Sequence, residues 1–292
     1  MYFLLAPFPI FVVAAGVTSK TTTAHIKADL MNRVFPNSLR AKQFPAYILG
    51  KAYWAEDPNF SIDNHLITVK QSIYTLDELG VFVGSVAIKP LSTSKPRWCC
   101  YVVEDFQGGS AVIVRFNHAY MDGVSMVNAL VHNSDPAFFS LNKSSSLRKL
   151  LTTPFALMLL PYALVAGMRF QPDRNPLTGI AYSGDKAIAM SPPFPLARHL
   201  SHAKAMGVTF NDYIVAAALR TVSAYIAQQH SAQHHYFSVG IPITLRGQPM
   251  DGSPLQPGND ITLLVLPMPA VTSQTLARDI IKSLGGLKPQ LC

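Results

Sequence analysis

Apolar and polar positions are patterned most clearly between Trp98 and Phe116. Trp98 to Glu104 and Ala111 to Phe116 are rich in β-branched and aromatic residues. The intervening Asp105-Phe106-Gln107-Gly108-Gly109-Ser110 is turn chemistry, so a hairpin is predicted. Its second strand delivers His118 at its end; Gly123 breaks the strand, and Val124, Val127, Ala129 and Val131 continue as a helix. Upstream, Thr75 followed by Glu78 forms a capping-box pattern ahead of Leu79, Val83 and Val86, which predicts a short helix. A polar helix is predicted from Thr23 to Arg33, giving way to a loop punctuated by Pro36 and Pro45, and Trp54-Ala55-Glu56-Asp57-Pro58-Asn59-Phe60 reads as a turn.

Two stretches lack charge. Met1 to Val17 is largely apolar and precedes Lys20, the first charged residue. With no basic residue ahead of it and with Pro7 and Pro9 inside it, it reads as buried strands or as a membrane anchor rather than a cleaved leader. Leu150 to Met168 is also uncharged, and a helix there would be about 28 Å long. Thr152, Thr153, Pro154, Pro161 and Gly167 dilute it, so it reads as an interfacial segment or an apolar core helix.

Residues 133–146 form a loop by composition, and 171–195, with five prolines and two glycines, reads as a linker. Beyond it a helix is predicted from Asn211 to Gln229, capped by Thr209 or Asn211, with small residues at Ala216, Ala217 and Ala218. Strands follow near Tyr236 to Leu245 and Ile261 to Leu266. The implied organisation is an apolar segment over 1–22, an N-terminal subdomain over 23–170, the linker over 171–195, and a C-terminal subdomain over 196–292. A chain of 292 residues exceeds what one hydrophobic core serves well, which agrees with two subdomains.

Composition adds two constraints. Hydrophobic residues make up 49% and charged residues 14%, which makes contact with a lipid surface plausible. The net charge of +8 favours anionic partners such as phospholipid headgroups or a phosphorylated co-substrate. Nucleic acid is disfavoured, because the bases are scattered and no zinc-finger spacing, RNP motif or basic helix organises them. Cys99 and Cys100 are adjacent on a predicted strand and face opposite ways, and Cys292 is terminal. This pattern suits a reducing compartment and speaks against a disulfide scaffold or a metal site.

The candidate chemistry lies in Asn117-His118-Ala119-Tyr120-Met121-Asp122-Gly123. Histidine holds an unprotonated nitrogen near neutral pH and can serve as a general base. An aspartate four residues later can fix the local turn, by pairing with a base or bonding backbone amides, and glycine permits close approach of a substrate. Random placement would give roughly 0.02 HxxxDG matches in a chain of this composition.

Together with these residues, Trp54 to Phe60 with His65 following, Pro96-Arg97-Trp98, Asn211-Asp212, Pro242-Ile243-Thr244-Leu245-Arg246 and Gly258-Asn259 resemble the wax ester synthase/diacylglycerol acyltransferase family of HxxxDG acyltransferases. The resemblance runs from about residue 23 to the end. It implies an α/β, two-subdomain, chloramphenicol-acetyltransferase-like sandwich with mixed sheets flanked by helices. It implies transfer of a fatty acyl group from acyl-CoA, as co-substrate, to a long-chain alcohol or diacylglycerol, without a bound cofactor or metal. His118 would be the base and Asp122 an orienting residue, with Arg246 a candidate partner. Asn117, Gly123, Asn211, Asp212, Thr244 and Asn259 would support the site or the substrate, with Asn211, Thr244 and Asn259 the candidate oxyanion donors. The expected location is a membrane or lipid-droplet surface with the site facing the cytosol, at the endoplasmic reticulum or plasma membrane in a eukaryote.

Two departures qualify the resemblance. Asn117 stands where the family usually has the first of two histidines, and only 46 residues follow Arg246, so the second subdomain is expected to be incomplete. Two other readings therefore stand beside the first: an inactive fragment that binds lipid or protein, and a related acyltransferase with a different acceptor.

Overall fold

A computed structural model describes residues 11–126, 158, 177, 183–229, 236–244 and 258–269. The central element is a four-stranded mixed sheet of β1 (Phe11–Thr18), β4 (Leu66–Thr68), β5 (Trp98–Phe106) and β6 (Gly109–Asn117), in the order β1-β6-β5-β4. The β1–β6 and β6–β5 pairs are antiparallel and β5–β4 is parallel. This mixed α/β arrangement agrees with the expected fold class.

The β5–β6 hairpin forms as expected but with a tighter turn. Pairing continues to Phe106 opposite Gly109, leaving only Gln107 and Gly108 as the loop. Both have positive φ, 51° and 79°, as a type I′ turn requires. Gly109 is closely confined: a Cβ there would run into the Thr18 carbonyl oxygen of β1.

The sheet is buried on both faces. Ala111, Ile113, Cys99, Tyr101 and Val103 point into one core layer, closed by Leu79, Val83 and Val86 of α2 (Leu76–Ala87). Val102 and Cys100 point into the other, with Phe35, Ile62 and Leu66. The adjacent cysteines thus face opposite layers, and burial pushes the Cys100 thiol up to about 12. Helix α2 starts as predicted: Thr75 accepts from the Glu78 amide, and the Glu78 carboxylate accepts from the amides of Thr75 and Tyr74. Those amide donors hold the Glu78 carboxyl below its ordinary value.

Three local expectations give way. The polar helix is α-helical over α1 (Thr23–Asp29), then loosens to a π-turn over Leu30–Val34 and short 3₁₀ turns over Phe35–Asn37 and Leu39–Lys42. Pro45 lies in a strand rather than a loop, and Trp54 to Glu56 are strand rather than turn: β2 (Gln43–Ile48) and β3 (Lys51–Glu56) form a separate antiparallel hairpin. A two-stranded ribbon has free edges on both sides, so Pro45 sacrifices no ladder bond that a wider sheet would need. The turn, Leu49-Gly50, again has two positive φ values, 50° and 75°. Leucine gave no sign of that conformation.

Residues 183–191, within the expected linker, belong to the same compact unit as the sheet, as do 258–261. Gly80 and Gly84 of α2 receive this strap: a Cβ on Gly80 would stand 2.5 Å from the Ile188 carbonyl oxygen, and one on Gly84 2.6 Å from that of Lys186. The strap also brings Met190 onto the core.

The second unit includes α3 (Leu196–Ala205), α4 (Phe210–Gln229) and most of β7 (Tyr236–Thr244) and β8 (Ile261–Pro269), which form a two-stranded sheet. Leu219 and Ile226 of α4 pack with Phe237 of β7. Of the three alanines in α4, Ala216 is buried while Ala217 and Ala218 are exposed. Among the described residues no helix is long and apolar enough to cross a membrane. The uncharged stretch 150–168 lies, apart from Met158, outside the described residues.

Candidate active site

Strand β6 ends at Asn117, and the chain then turns through His118 and Ala119 before a helical turn begins at 123–126. Asn117 is buried, and its side-chain oxygen accepts from the Ala119 amide at 2.9 Å. Its carbonyl accepts from the Tyr120 amide, and its own amide donates to the Arg97 carbonyl. These bonds fold the backbone into an Asx-type turn around His118. The residue that departs from the family pattern therefore has a definite local role. His118 itself is half-buried.

Asp122 is almost wholly buried. Its Oδ1 accepts from the Ser125 amide at 2.8 Å, an N-cap bond to the following helical turn. Its Oδ2 accepts from the Asp260 amide at 3.0 Å, and its own amide donates to the Gly258 carbonyl at 2.9 Å. Ser125 Oγ adds a donor to the same Gly258 oxygen. Of the two roles the sequence left open for Asp122, bonding of backbone amides is thus present. Arg246, a candidate partner of Asp122, lies outside the described residues.

Asn259 completes this fastening. Its Nδ2 donates to the carbonyl oxygens of His118 and Ala119, at 2.8 and 3.2 Å. An amide engaged in this way holds the histidine loop in place. Gly123, the first residue of the helical turn, is exposed, and a Cβ built on it would meet nothing within 4 Å. The space in front of it is open.

Tyr120, inside the motif, was not singled out by its sequence. It is buried, its hydroxyl donates to the Gln43 carbonyl at 2.7 Å and accepts from the Arg97 amide at 2.8 Å, and its ring meets Trp54 edge-on at 4.9 Å. Burial pushes its phenol up to about 12. The Arg40 guanidinium covers the Trp54 ring at 3.9 Å. Tyr120 thereby fixes the motif loop to the base of the β2–β3 hairpin.

Three further family-like residues, Phe60, His65 and Trp98, pack together in the first unit. His65 is sandwiched between Phe60 and Trp98, with ring centroids at 5.4 and 4.6 Å. Its Nδ1 lies 2.8 Å from the Trp98 carbonyl oxygen, which makes this nitrogen the protonated donor and leaves Nε2 buried without a hydrogen-bond partner. Burial pulls the His65 pKa below its ordinary value, which keeps the ring neutral.

The first unit thus brings together Asn117, His118, Asp122, Gly123 and Asn259. Asn211 and Asp212 belong to the second unit. Thr209 is the cap of α4 rather than Asn211: its hydroxyl donates to Asp212 Oδ2 at 2.5 Å and accepts from the Asp212 amide at 3.3 Å. Asp212 is buried there, Asn211 is exposed on the first turn, and Thr244 ends β7. Among the described residues no group of three or more His, Cys, Asp or Glu gathers as a metal site.

Comparison with known proteins bears on this arrangement. Residues 18–138 match the model of the wax ester synthase/diacylglycerol acyltransferase catalytic domain. The O-acyltransferase WSD of Acinetobacter baylyi is 22% identical over 253 residues, 74% of this chain and 54% of that protein. A candidate diacylglycerol O-acyltransferase of Mycobacterium tuberculosis is 33% identical over 87 residues, 28% of this chain and 18% of that protein. The chain therefore spans about half the length of the first relative and a smaller share of the second. The solved wax ester synthase/diacylglycerol acyltransferase from Marinobacter aquaeolei VT8 has the same fold, with a TM-score of 0.63 and 16% identity, over 99% of this chain and 70% of that one.

Proposed function

We propose that this chain, which belongs to the wax ester synthase/diacylglycerol acyltransferase family, moves a fatty acyl group from acyl-CoA to the hydroxyl of a long-chain alcohol or diacylglycerol, with His118 as general base. The reading rests chiefly on one observation. His118 is half-buried at the end of a fully packed strand, and its loop is fastened by Asn117, Asp122 and Asn259. Such fastening limits the freedom of a base that must meet a hydroxyl in one geometry.

In the proposed reaction the neutral imidazole takes the acceptor's hydroxyl proton as that oxygen attacks the thioester carbonyl. The tetrahedral intermediate then collapses with breakage of the carbon–sulfur bond. The imidazolium returns its proton to the departing thiolate, so ester and free CoA leave and the histidine is again neutral. No covalent acyl-enzyme forms and no bound cofactor takes part. Asp122 acts on this chemistry as a positioning residue, through the backbone it holds. Asn211 and Thr244 stay as candidate oxyanion donors, whereas the Asn259 amide is engaged with the loop. Acceptors of this class dissolve in membranes or lipid droplets, so the protein is proposed to work at such a surface, facing the cytosol.

The test is transfer of a labelled acyl group from acyl-CoA to hexadecanol or diacylglycerol. His118→Ala should lower the rate by roughly 10² to 10⁴, about 2.7 to 5.4 kcal/mol of barrier, with little change in melting temperature. Equal activity of the two chains would rule out His118 as base.

A further inference from the structure

The β2–β3 hairpin presents apolar residues outward at its tip. At its tip Leu49 is 98% exposed, and Tyr47, Ile48 and Tyr53 are all about half exposed or more. Leu49 also holds a positive φ of 50°, a conformation that asparagine or glycine adopts at lower cost. Among the described residues nothing repays that choice, since a side chain so exposed gains no packing.

We propose that this hairpin is a docking element whose tip enters the interface of an anionic phospholipid bilayer, an inference that rests on the reading of the acceptors as membrane-dissolved lipids. Three features favour lipid over a protein partner. First, the apolar residues lie on both faces: Tyr53 and Ile48 share one through the Ala46–Tyr53 and Ile48–Lys51 pairs, and Tyr47 lies on the other. A protein groove covers one face of a ribbon, whereas a lipid layer surrounds it.

Second, the chemistry is graded along the hairpin. Ile48 and Leu49 stand at the tip, Tyr47 and Tyr53 sit one to two pairs behind, and the Gln43 end is half-buried against the protein. Tyrosines behind an aliphatic tip suit the headgroup level, where one end of the ring is dry and the hydroxyl is wet. Third, Lys51 is exposed beside the turn, and no acid occurs between Leu39 and Ala55, which fits a negative surface. Tyr120 and Trp54 hold the far end of the hairpin to the His118 loop. That end is about 17 Å from the tip, so docking would hold the reactive loop at a fixed height above the bilayer.

The experiment is sedimentation of the full chain with phosphatidylcholine vesicles, with and without phosphatidylglycerol. Leu49→Asn should weaken binding roughly tenfold without lowering the melting temperature, because asparagine suits the turn. Lys51→Gln should weaken binding to the anionic vesicles by roughly fivefold and to the neutral ones hardly at all. Vesicle binding by Leu49→Asn equal to that of the native chain would overturn the proposal, as would absence of binding by the native chain. A native chain that self-associates, and loses this in Leu49→Asn, would assign the tip to a second copy and overturn it too. Acyl transfer to detergent-dispersed hexadecanol separates this from the catalytic reading. Leu49→Asn should keep that activity, and loss of it in His118→Ala is judged independently of vesicle binding.

Discussion

The two hairpins of the first unit share one turn geometry and carry opposite side chains. Gln107-Gly108 and Leu49-Gly50 both place a non-glycine residue at a φ near 50° and a glycine after it. The β5–β6 hairpin puts its apolar residues into two core layers, its turn residue is polar, and its second strand leads to His118. The β2–β3 hairpin buries its base and exposes an apolar tip. Local backbone rules therefore fix the turn, while the destination of each hairpin decides what the turn carries. Where the strands are destined for the core, a polar turn residue is the cheap choice; an apolar one in the exposed hairpin points to a use outside the fold.

Matched truncations break this comparison most directly. Ile113→Ala empties a wholly buried position of β6 and should cost about 2 to 5 kcal/mol in denaturant unfolding. Ile48→Ala, the same deletion at the exposed tip, should change stability by no more than about 0.5 kcal/mol. Comparable costs for the two would show that the tip is packed in solution. Asp122→Ala follows in size: it removes the helix cap and takes the acceptor from the Asp260 amide in a part-buried bond, for about 1 to 3 kcal/mol. Because Asp122 also positions the loop, acyl transfer should fall in Asp122→Ala even at temperatures where the chain is fully folded.

His65 ties the two hairpins together chemically, since it stacks on Trp98 of β5 and on Phe60 just beyond β3. Burial lowers its pKa in the folded protein, opposed by the hydrogen bond to the Trp98 carbonyl and by Asp57, with Lys95 pushing the same way as burial. The unfolded chain therefore binds this proton more readily, and the stability due to a neutral His65 is complete above its unfolded pKa of about 6.5. It is lost progressively as the pH falls below that value toward the folded pKa. The melting temperature should accordingly drop on acidification through this window, and His65→Phe should flatten the profile there. An unchanged slope in the variant would assign the acid sensitivity elsewhere.

What the sequence revealed follows from how far each interaction reaches. The Thr75–Glu78 box was legible because both partners lie within one turn, and the Thr209 cap for the same reason. The motif around His118 was legible as a motif. The bonds that fasten it were not, since Asp122 meets Asp260 across 138 residues and nothing in either segment announces the other. The β2–β3 hairpin was hidden by two locally misleading residues: Pro45, tolerated because the ribbon is only two strands wide, and Leu49, whose side chain is exposed at the turn. The strap over α2 was hidden too, because Gly80 and Gly84 meet the carbonyls of Ile188 and Lys186 from a segment far along the chain.

The smallest effect gives the sharpest discrimination between the hairpins. Asparagine tolerates the left-handed conformation, so Leu49→Asn and Gln107→Asn should each relieve part of a backbone cost of roughly 1 kcal/mol. Gln107 has something to lose, because its Nε2 donates to the Tyr74 carbonyl at 3.2 Å. Leu49, at 98% exposure, has no packing to lose. Thermal unfolding should therefore rise for Leu49→Asn by an amount equivalent to a few tenths of a kcal/mol up to about 1 kcal/mol, and change less for Gln107→Asn. A destabilised Leu49→Asn would mean that the leucine contributes a contact to the fold itself, and its exposure would then no longer argue for a partner outside it.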